Sequence, residues 1–211
     1  MKNQLTIRSG TCAAALCLLV TAAAAGGEVR LLTFDGYADA AWRVPFEEVT
    51  ECRVAVSYVG GVDEMFAKMA GSDGSDFDLV SIDTSLFPRY SEAGLIQAYD
   101  DAKIPNLANL LNEFQNVDAV KNGASRLGIP VAWGSQGLIF DADEMSDAPT
   151  SWAAMWDPEH AQRVIALDDS NNNIVMAALL LGFEDPFTLS EEQMAQVKDK
   201  LLELKGNLLR Y

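Results

Sequence analysis

The chain has 211 residues, of which 49% are hydrophobic and 22% are charged, a composition typical of one large or two small globular domains. Its 15 basic and 31 acidic residues give a formal net charge of −16. This charge disfavours binding to nucleic-acid phosphates or anionic lipid, because both require Lys and Arg. The single histidine, His160, excludes any two-histidine metal site or mechanism.

The first 25 residues have the pattern of a secretory signal peptide. Lys2 and Arg8 precede an apolar run at residues 11–22, and small residues follow it up to Ala25. The run is shorter than the ~20 residues of a membrane-spanning helix. We therefore predict cleavage near Ala25 and export to the periplasm. The mature chain would keep one cysteine, Cys52, and could form no internal disulfide.

Predicted strands and helices alternate in the next part of the chain. Strands are predicted at residues 29–34, 54–59 and 77–82, and helices at 40–49 and 62–69. We expect the first helix to be interrupted by Pro45. Alternation at this pace predicts right-handed crossovers and a mostly parallel sheet. The predicted fold class is therefore α/β.

Predicted strands and helices also occur in the second half of the chain, where the turn sequences between them differ from those of the first half. Helices are predicted at residues 86–93, 106–114, 151–156, 173–181 and 190–204, and strands at 127–131, 137–141 and 164–167. The clearest helix is the last, because Ser190 and Gln193 form a capping-box pattern. Its apolar stripe, which needs a surface to cover, consists of Met194, Val197, Leu201 and Leu204.

Motifs of covalent or metal chemistry are absent from the mature sequence. It contains no G-x-S-x-G, Walker loop, G-x-G-x-x-G or C-x-x-C. Asp73, Asp76 and Asp78 crowd one loop but lack the glycine and terminal glutamate of a calcium-binding hand. His160 lies in a turn-like Pro-Glu-His sequence without catalytic partners. We therefore predict no metal, no cofactor and no enzymatic activity.

Polar and aromatic residues follow three of the predicted strands. These are Phe34, Asp35 and Tyr37; Asp83, Thr84 and Ser85; and Asp168, Asp169 and Asn172. The carboxyl ends of parallel strands share one edge of a sheet, so we expect the clusters to form one ligand-binding rim. Carboxylates beside aromatic faces suit an organic ammonium group. The alternative is that Asp83 and Asp169 are helix N-caps and Phe34 belongs to the core.

Residues 31–211 resemble the amino-terminal part of a periplasmic solute-binding protein of the spermidine/putrescine type, the receptor of an ABC importer. The order and spacing of several segments carry the resemblance: residues 33–37 (TFDGY), 77–80 (FDLV), 92–96 (EAGLI), 128–134 (GIPVAWG), 150–152 (TSW), 156–158 (WDP) and 168–169 (DD).

The resemblance implies a type II periplasmic-binding-protein-like architecture, in which two α/β lobes close on a ligand. It implies a signal peptide at residues 1–25, a nearly complete first lobe at 26–132, and a hinge crossing with a partial second lobe at 133–211. Family members are considerably longer, so we expect the chain to be truncated.

The resemblance also implies ligand-binding residues: Phe34, Asp35, Tyr37, Asp83, Ser85, Asp169 and Asn172. Three positions depart from the family. Phe34 replaces a Trp, Gly36 stands where a carboxylate is common, with Asp35 next to it, and Asn172 replaces a second carboxylate. The expected function is capture of a small cationic solute, a polyamine, by a monomer that delivers it to an inner-membrane ABC permease. The alternatives are another solute (an amine, an amino-acid derivative or a chelated metal), or an exported enzyme or interaction module.

Overall fold

Three parallel strands form the largest sheet of the computed structural model, which describes residues 26–210. The predicted signal peptide lies outside these residues. The strand order is β2-β1-β3, with β1 at Glu28–Phe34, β2 at Arg53–Val59 and β3 at Leu79–Val80. The first two strand predictions are confirmed. The third strand is shorter than predicted, because it pairs with β1 only through Leu31 and Leu32.

Three helices belong to this sheet: α1 at Ala40–Thr50, α2 at Val62–Gly71 and α3 at Phe87–Glu92, the last preceded by a 3-10 turn at Thr84–Leu86. The predicted interruption at Pro45 is wrong, because α1 continues through it. Arg43 donates to both carboxylate oxygens of Glu47, at 3.0 and 2.8 Å. Glu47 in turn accepts from the backbone N–H of Val54 at 2.7 Å, which ties the helix to β2.

The core of this part of the chain lies between the sheet and α2. Helix α2 directs Val62, Met65 and Met69 inward at helical spacing. Met65 packs with Leu32 of β1 and with Val59, Met69 and Tyr90 in one buried cluster. We call β1–β3 and α1–α3 the amino-terminal body.

Short elements follow the amino-terminal body: 3-10 turns at Asp101–Lys103, Pro105–Asn109 and Asp118–Val120, α4 at Asn112–Gln115, and an antiparallel pair formed by β4 (Lys121–Asn122) and β5 (Ser125–Arg126). The predicted helix at 106–114 is therefore wrong. Leu110 and Leu111 have extended backbones (ψ 146° and 145°), which separates the 3-10 turn from α4.

The predicted strands at residues 127–131 and 137–141 are also wrong, because residues 127–150 form neither strand nor helix. A strand requires a neighbouring strand for its hydrogen bonds, and within residues 26–210 none pairs with these segments. Their apolar side chains are exposed instead: Val131, Trp133 and Ile139 are 76%, 75% and 99% exposed.

The remaining elements form a second group, the carboxyl-terminal body: 3-10 turns at Trp152–Trp156 and Pro158–His160, β6 at Val164–Ile165, α5 at Ser170–Leu180, α6 at Glu191–Leu204 and β7 at Leu208–Arg210. The predicted strand at 164–167 is confirmed for its first two residues, which pair in parallel with β7. The capping box is confirmed: Ser190 Oγ accepts from the N–H of Gln193 at 3.2 Å, and Gln193 Oε1 accepts from the N–H of Ser190 at 2.9 Å.

The carboxyl-terminal body has its own buried residues, which are Met155, Ala166, Met176, Ala177, Ala178, Val197, Leu204 and Leu208. The predicted stripe of α6 is therefore only partly covered. Val197 and Leu204 are buried, whereas Met194 lines an apolar groove of about 580 Å³ between α5 and α6. None of the helices within residues 26–210 combines the length and apolar character that crossing a bilayer requires.

Candidate ligand-binding site

A cavity of about 240 Å³ lies where the amino-terminal body meets the carboxyl-terminal body. Its lining residues are Phe34, Gly60, Val62, Asp83, Leu167, Asp168, Asp169 and Asn172. The first four follow the carboxyl ends of β1, β2 and β3, the edge at which ligands collect in parallel sheets. The other four follow β6 and enter α5. The cavity is therefore lined by residues of both bodies.

Phe34 supplies the aromatic wall of the cavity. It is the last residue of β1 and is half-buried, and it also packs against the core cluster. Tyr37 lies beyond it in an edge-to-face arrangement with ring centroids 5.9 Å apart. The ring of Phe34 thus serves both the core and the cavity, so the core interpretation and the site interpretation are compatible at this position.

Asp83 presents a carboxylate that helix capping does not use. It precedes the 3-10 turn at Thr84–Leu86, but its side chain makes no capping hydrogen bond. Burial raises the pKa of Asp83, the nearby charge of Asp169 raises this pKa further, and a hydrogen bond from Asn171 partly offsets both effects. The N-cap alternative therefore does not account for Asp83, whose ionised form is disfavoured by burial and by the charge of Asp169.

Asp169 has two roles at once. It is the N-cap of α5, and its Oδ1 accepts from the backbone N–H of Asn172 at 2.8 Å. The turn is held in place by Asn173, whose Nδ2 donates to the backbone oxygens of Leu167 and Asp169, both at 2.8 Å. A carboxylate has two oxygens, so capping through Oδ1 leaves Oδ2 able to accept from a ligand.

The structure brings four of the seven candidate residues to the cavity: Phe34, Asp83, Asp169 and Asn172. The other three do not line it. Asp35 is exposed, Tyr37 is 50% exposed and contacts Phe34, and Ser85 hydrogen-bonds with Asn171. These three residues therefore surround the cavity without lining it.

The candidate set omits Gly60 and Val62, although both line the cavity. The signal was available, because the predicted second strand ends at residue 59 and must share the rim of its parallel neighbours. The set also omits Asp168, which stands beside Asp169 in the sequence and also lines the cavity.

The cavity has the electrostatic character of a cation site. Its lining within the described chain contains three aspartates and neither Lys nor Arg. No group of three or more His, Cys, Asp or Glu side chains between residues 26 and 210 is arranged to hold a metal ion. A lining that combines aspartates with an aromatic residue matches an organic ammonium group, which ion-pairs with carboxylates and is attracted to the face of a ring.

Known proteins resemble the chain in sequence and in fold. It is 27% identical over 191 residues to the spermidine/putrescine-binding periplasmic protein 1 of Haemophilus influenzae, covering 90% of this chain and 52% of that protein. It is 26% identical over 167 residues to the spermidine/putrescine-binding periplasmic protein of Salmonella typhimurium, covering 79% and 47%. The chain thus spans about half the length of the curated relatives that it matches.

A solved structure shares the fold. The putative spermidine/putrescine ABC transporter protein from Listeria monocytogenes matches with a TM-score of 0.77 at 20% identity, covering 88% of this chain and 56% of that one. The architecture is that of the type II periplasmic binding proteins. The model of the bacterial extracellular solute-binding proteins matches residues 74–210. Since that match takes in well over half of the chain, the chain belongs to the bacterial extracellular solute-binding protein family.

Proposed function

We propose that this chain is the solute-capturing component of an ABC importer and that it binds a small organic amine, with polyamines as the leading candidates. The observation that carries the proposal is the cavity between the two bodies, whose lining residues include three aspartates and Phe34 and, among the residues described, no basic side chain. An anionic solute would be repelled by this lining, and a neutral sugar would leave the carboxylates without a charge partner.

The raised pKa of Asp83 supports a cationic ligand. Asp83 is half-buried beside the charge of Asp169, and both effects raise the pKa of Asp83. An ammonium group between the two carboxylates would offset the repulsion and replace the lost hydration of Asp83. The face of Phe34 would contact the same ammonium group or the methylene chain next to it.

The relatives named above for binding spermidine and putrescine point to the same class of ligand. Asn172 stands at a cavity position where the resemblance leads us to expect a carboxylate. The neighbouring Asp168, in the turn before α5, lines the same cavity. We infer that Asp168 compensates for the charge missing at Asn172.

We infer a mechanism without covalent chemistry, in which two lobes close on the solute and release it to an inner-membrane ABC permease. The lobes are assigned to residues 26–132 and 133–211, and the protein is assigned to the periplasm as a monomer. This division agrees with the two separate sets of buried residues, one within residues 32–90 and the other within residues 155–208.

The proposal is tested by calorimetric titration of the chain with putrescine and spermidine, with glucose as the neutral comparison. Asp169→Asn retains an N-cap, because Asn caps helices as well as Asp, and removes only the charge. We expect it to weaken amine binding by about tenfold or more, since a charge-assisted hydrogen bond contributes ~1.5–3 kcal/mol.

The matched control is Asp73→Asn, which removes the same charge from an exposed residue outside the cavity lining. We expect it to leave amine affinity within about twofold, as for surface charges remote from a site. Binding of glucose but of neither amine would refute the amine proposal. Equal losses at Asp73 and Asp169 would refute the site.

A further inference from the structure

Strand β2 forms one edge of the three-stranded sheet. Within the described part of the chain it pairs only with β1, so one side of its backbone has no strand beside it. The N–H of Arg53 points towards β1, because it donates to the backbone oxygen of Gly27 at 2.8 Å. Successive N–H groups of a strand point to alternate sides, so those of Val54, Val56 and Tyr58 point away from β1. We call this side the outer edge of β2.

The sequence of β2 favours pairing of this edge with another strand. Residues 54–59 (VAVSYV) contain β-branched and aromatic side chains and no charged residue, Pro or Gly. Segments of this composition form intermolecular sheets where their backbone is accessible. The strand that matches the outer edge is β2 of a second copy of this chain, since two identical edges can pair antiparallel about a twofold axis.

Two carboxylates contact the ends of the outer edge. Oε1 of Glu47, in α1, accepts from the backbone N–H of Val54 at 2.7 Å. Oε2 of Glu64, in α2, accepts from the backbone N–H of Gly60, directly after β2, at 3.0 Å. We call Glu47 and Glu64 the edge carboxylates. They belong to the helices before and after β2, and they bind N–H groups at its two ends.

Each edge carboxylate is held by a basic residue four positions away on its own helix. Both oxygens of Glu47 accept from Arg43, at 3.0 and 2.8 Å. Lys68 Nζ lies 3.5 Å from Oε1 of Glu64. Residues at this spacing are neighbours on the surface of a helix. The hydrogen bond from Val54, together with Arg43, lowers the pKa of Glu47, so this carboxylate is charged at neutral pH.

The orientation of α1 is the opposite of what burial of apolar side chains would favour. Its apolar residues Trp42, Phe46 and Val49 are exposed, whereas Arg43 and Glu47 are partly buried. A helix packed only by the hydrophobic effect would turn its apolar side chains towards the sheet. The hydrogen bond between Glu47 and the N–H of Val54 accounts for the observed orientation, because it requires the charged pair to face β2.

We propose that the edge carboxylates keep the outer edge of β2 from pairing with β2 of a second copy of this chain. Each carboxylate occupies an N–H group that an added strand would need, and each places a negative charge beside an otherwise uncharged segment. A second strand would have to displace the edge carboxylates before its own carbonyl oxygens could accept from the outer edge. This role does not depend on which solute the cavity binds.

The deciding experiment is sedimentation velocity of the double variant Glu47→Ala/Glu64→Ala over a series of protein concentrations. We expect it to self-associate about tenfold or more tightly than the unaltered chain, as one or two added backbone hydrogen bonds imply. The matched control, Glu48→Ala/Glu92→Ala, removes two exposed carboxylates from α1 and α3 and should associate no more than the unaltered chain. Equal association of the two double variants would overturn the proposal, because the lost negative charge would then explain both.

Hydrogen exchange identifies the surface through which the double variant associates. We expect the amides of Val56 and Tyr58 to become protected in the associated species, because they point away from β1. Adding Val56→Pro removes one outward N–H without removing a hydrogen bond to β1, and it should reverse the association. Association that leaves both amides unprotected, or that persists with Val56→Pro, would overturn the proposal.

A single variant covers the case in which the double variant does not fold. Glu64→Ala leaves the hydrogen bonds of Glu47 to Arg43 and Val54 intact, so α1 stays attached to β2. We expect Glu64→Ala to self-associate more tightly than the unaltered chain, with the same protection of the Tyr58 amide. A variant that folds and associates no more than the unaltered chain would overturn the proposal.

Discussion

The amino-terminal and carboxyl-terminal bodies bury their apolar side chains by different means. In the first, β1 lies between two neighbouring strands, and Leu32 and Thr33 at its centre are 0% exposed. The hydroxyl of Thr33 donates to Ser81 Oγ at 2.8 Å and fixes the segment after β3. In the second, β6 and β7 pair over two positions, and the groove between α5 and α6 stays open to solvent.

The two sides of the cavity are therefore stabilised by different interactions. Asp83 is carried by a sheet whose strands come from distant parts of the sequence. Asp169 is carried by the first turn of a helix and is fixed by hydrogen bonds within four residues. We expect the position of Asp83 to depend on the packing of the core against the sheet, and the position of Asp169 to depend on local helix capping.

The largest effect is expected from Leu32→Ala. Removing a fully buried Leu at the centre of β1 should lower the free energy of unfolding of the amino-terminal body by about 3 kcal/mol, through lost burial and a residual cavity. Hydrogen exchange should accelerate in β1 and β2 and stay unchanged in α5 and α6. Equal acceleration in both bodies would show that they unfold as one unit.

A smaller effect is expected from Ser190→Ala, which removes the capping box of α6. The loss should be about 1 kcal/mol, confined to the carboxyl-terminal body, because Ser190 Oγ satisfies one backbone N–H at the helix start. Hydrogen exchange at Gln193 and its neighbours measures it. The matched variant Ser190→Asp keeps a capping oxygen and should retain nearly all of the stability. A loss in that variant too would refute the capping explanation.

The smallest effects are expected from two aspartates with opposite pH dependence. The pKa of Asp83 is raised, so its ionisation destabilises the folded chain, and Asp83→Asn should stabilise it at neutral pH. The gain should vanish as the pH falls through the raised pKa. Arg30 lowers the pKa of Asp78 to about 2, so Asp78→Asn should destabilise the chain, and that loss should vanish only as the pH approaches 2.

Urea unfolding across this pH range compares the two variants directly. The same sign of change in both variants would contradict the opposite electrostatic environments of Asp83 and Asp78. Asp78 directly precedes β3 and Asp83 follows it, so the two aspartates lie close together in the sequence.

The sequence predicts well those helices and strands whose formation depends on residues close together in the chain. The capping box of α6 is complete within four residues, and the apolar spacing of α2 matches its buried face. The rim was predictable for Phe34 and Asp83, because parallel strands of one sheet must end at a common edge. That argument does not extend to Asp169, because β6, the strand before it, pairs with β7 in a separate sheet and not with β1–β3.

The failures have non-local causes. Residues 127–131 and 137–141 have the apolar character of strands, but an apolar run forms a strand only where another strand offers hydrogen bonds. Proline inside a helix usually interrupts it. At Pro45 the helix continues, because Glu47 accepts hydrogen bonds from the Arg43 side chain and from the backbone N–H of Val54. The contact between Asn171 and Ser85 spans 86 positions, and no sequence pattern indicates it.

The double role of Asp169 restricts how this chain could acquire a different solute preference. Any replacement at position 169 must still accept a hydrogen bond from the N–H of Asn172. This requirement limits the suitable residue types to about three others, which are Asn, Ser and Thr. Asp83 carries no such obligation to a helix. Under selection for a new solute, a library of random variants should therefore yield diverse side chains at position 83 and a narrow set at position 169, so that adaptation would proceed first from the sheet side of the cavity.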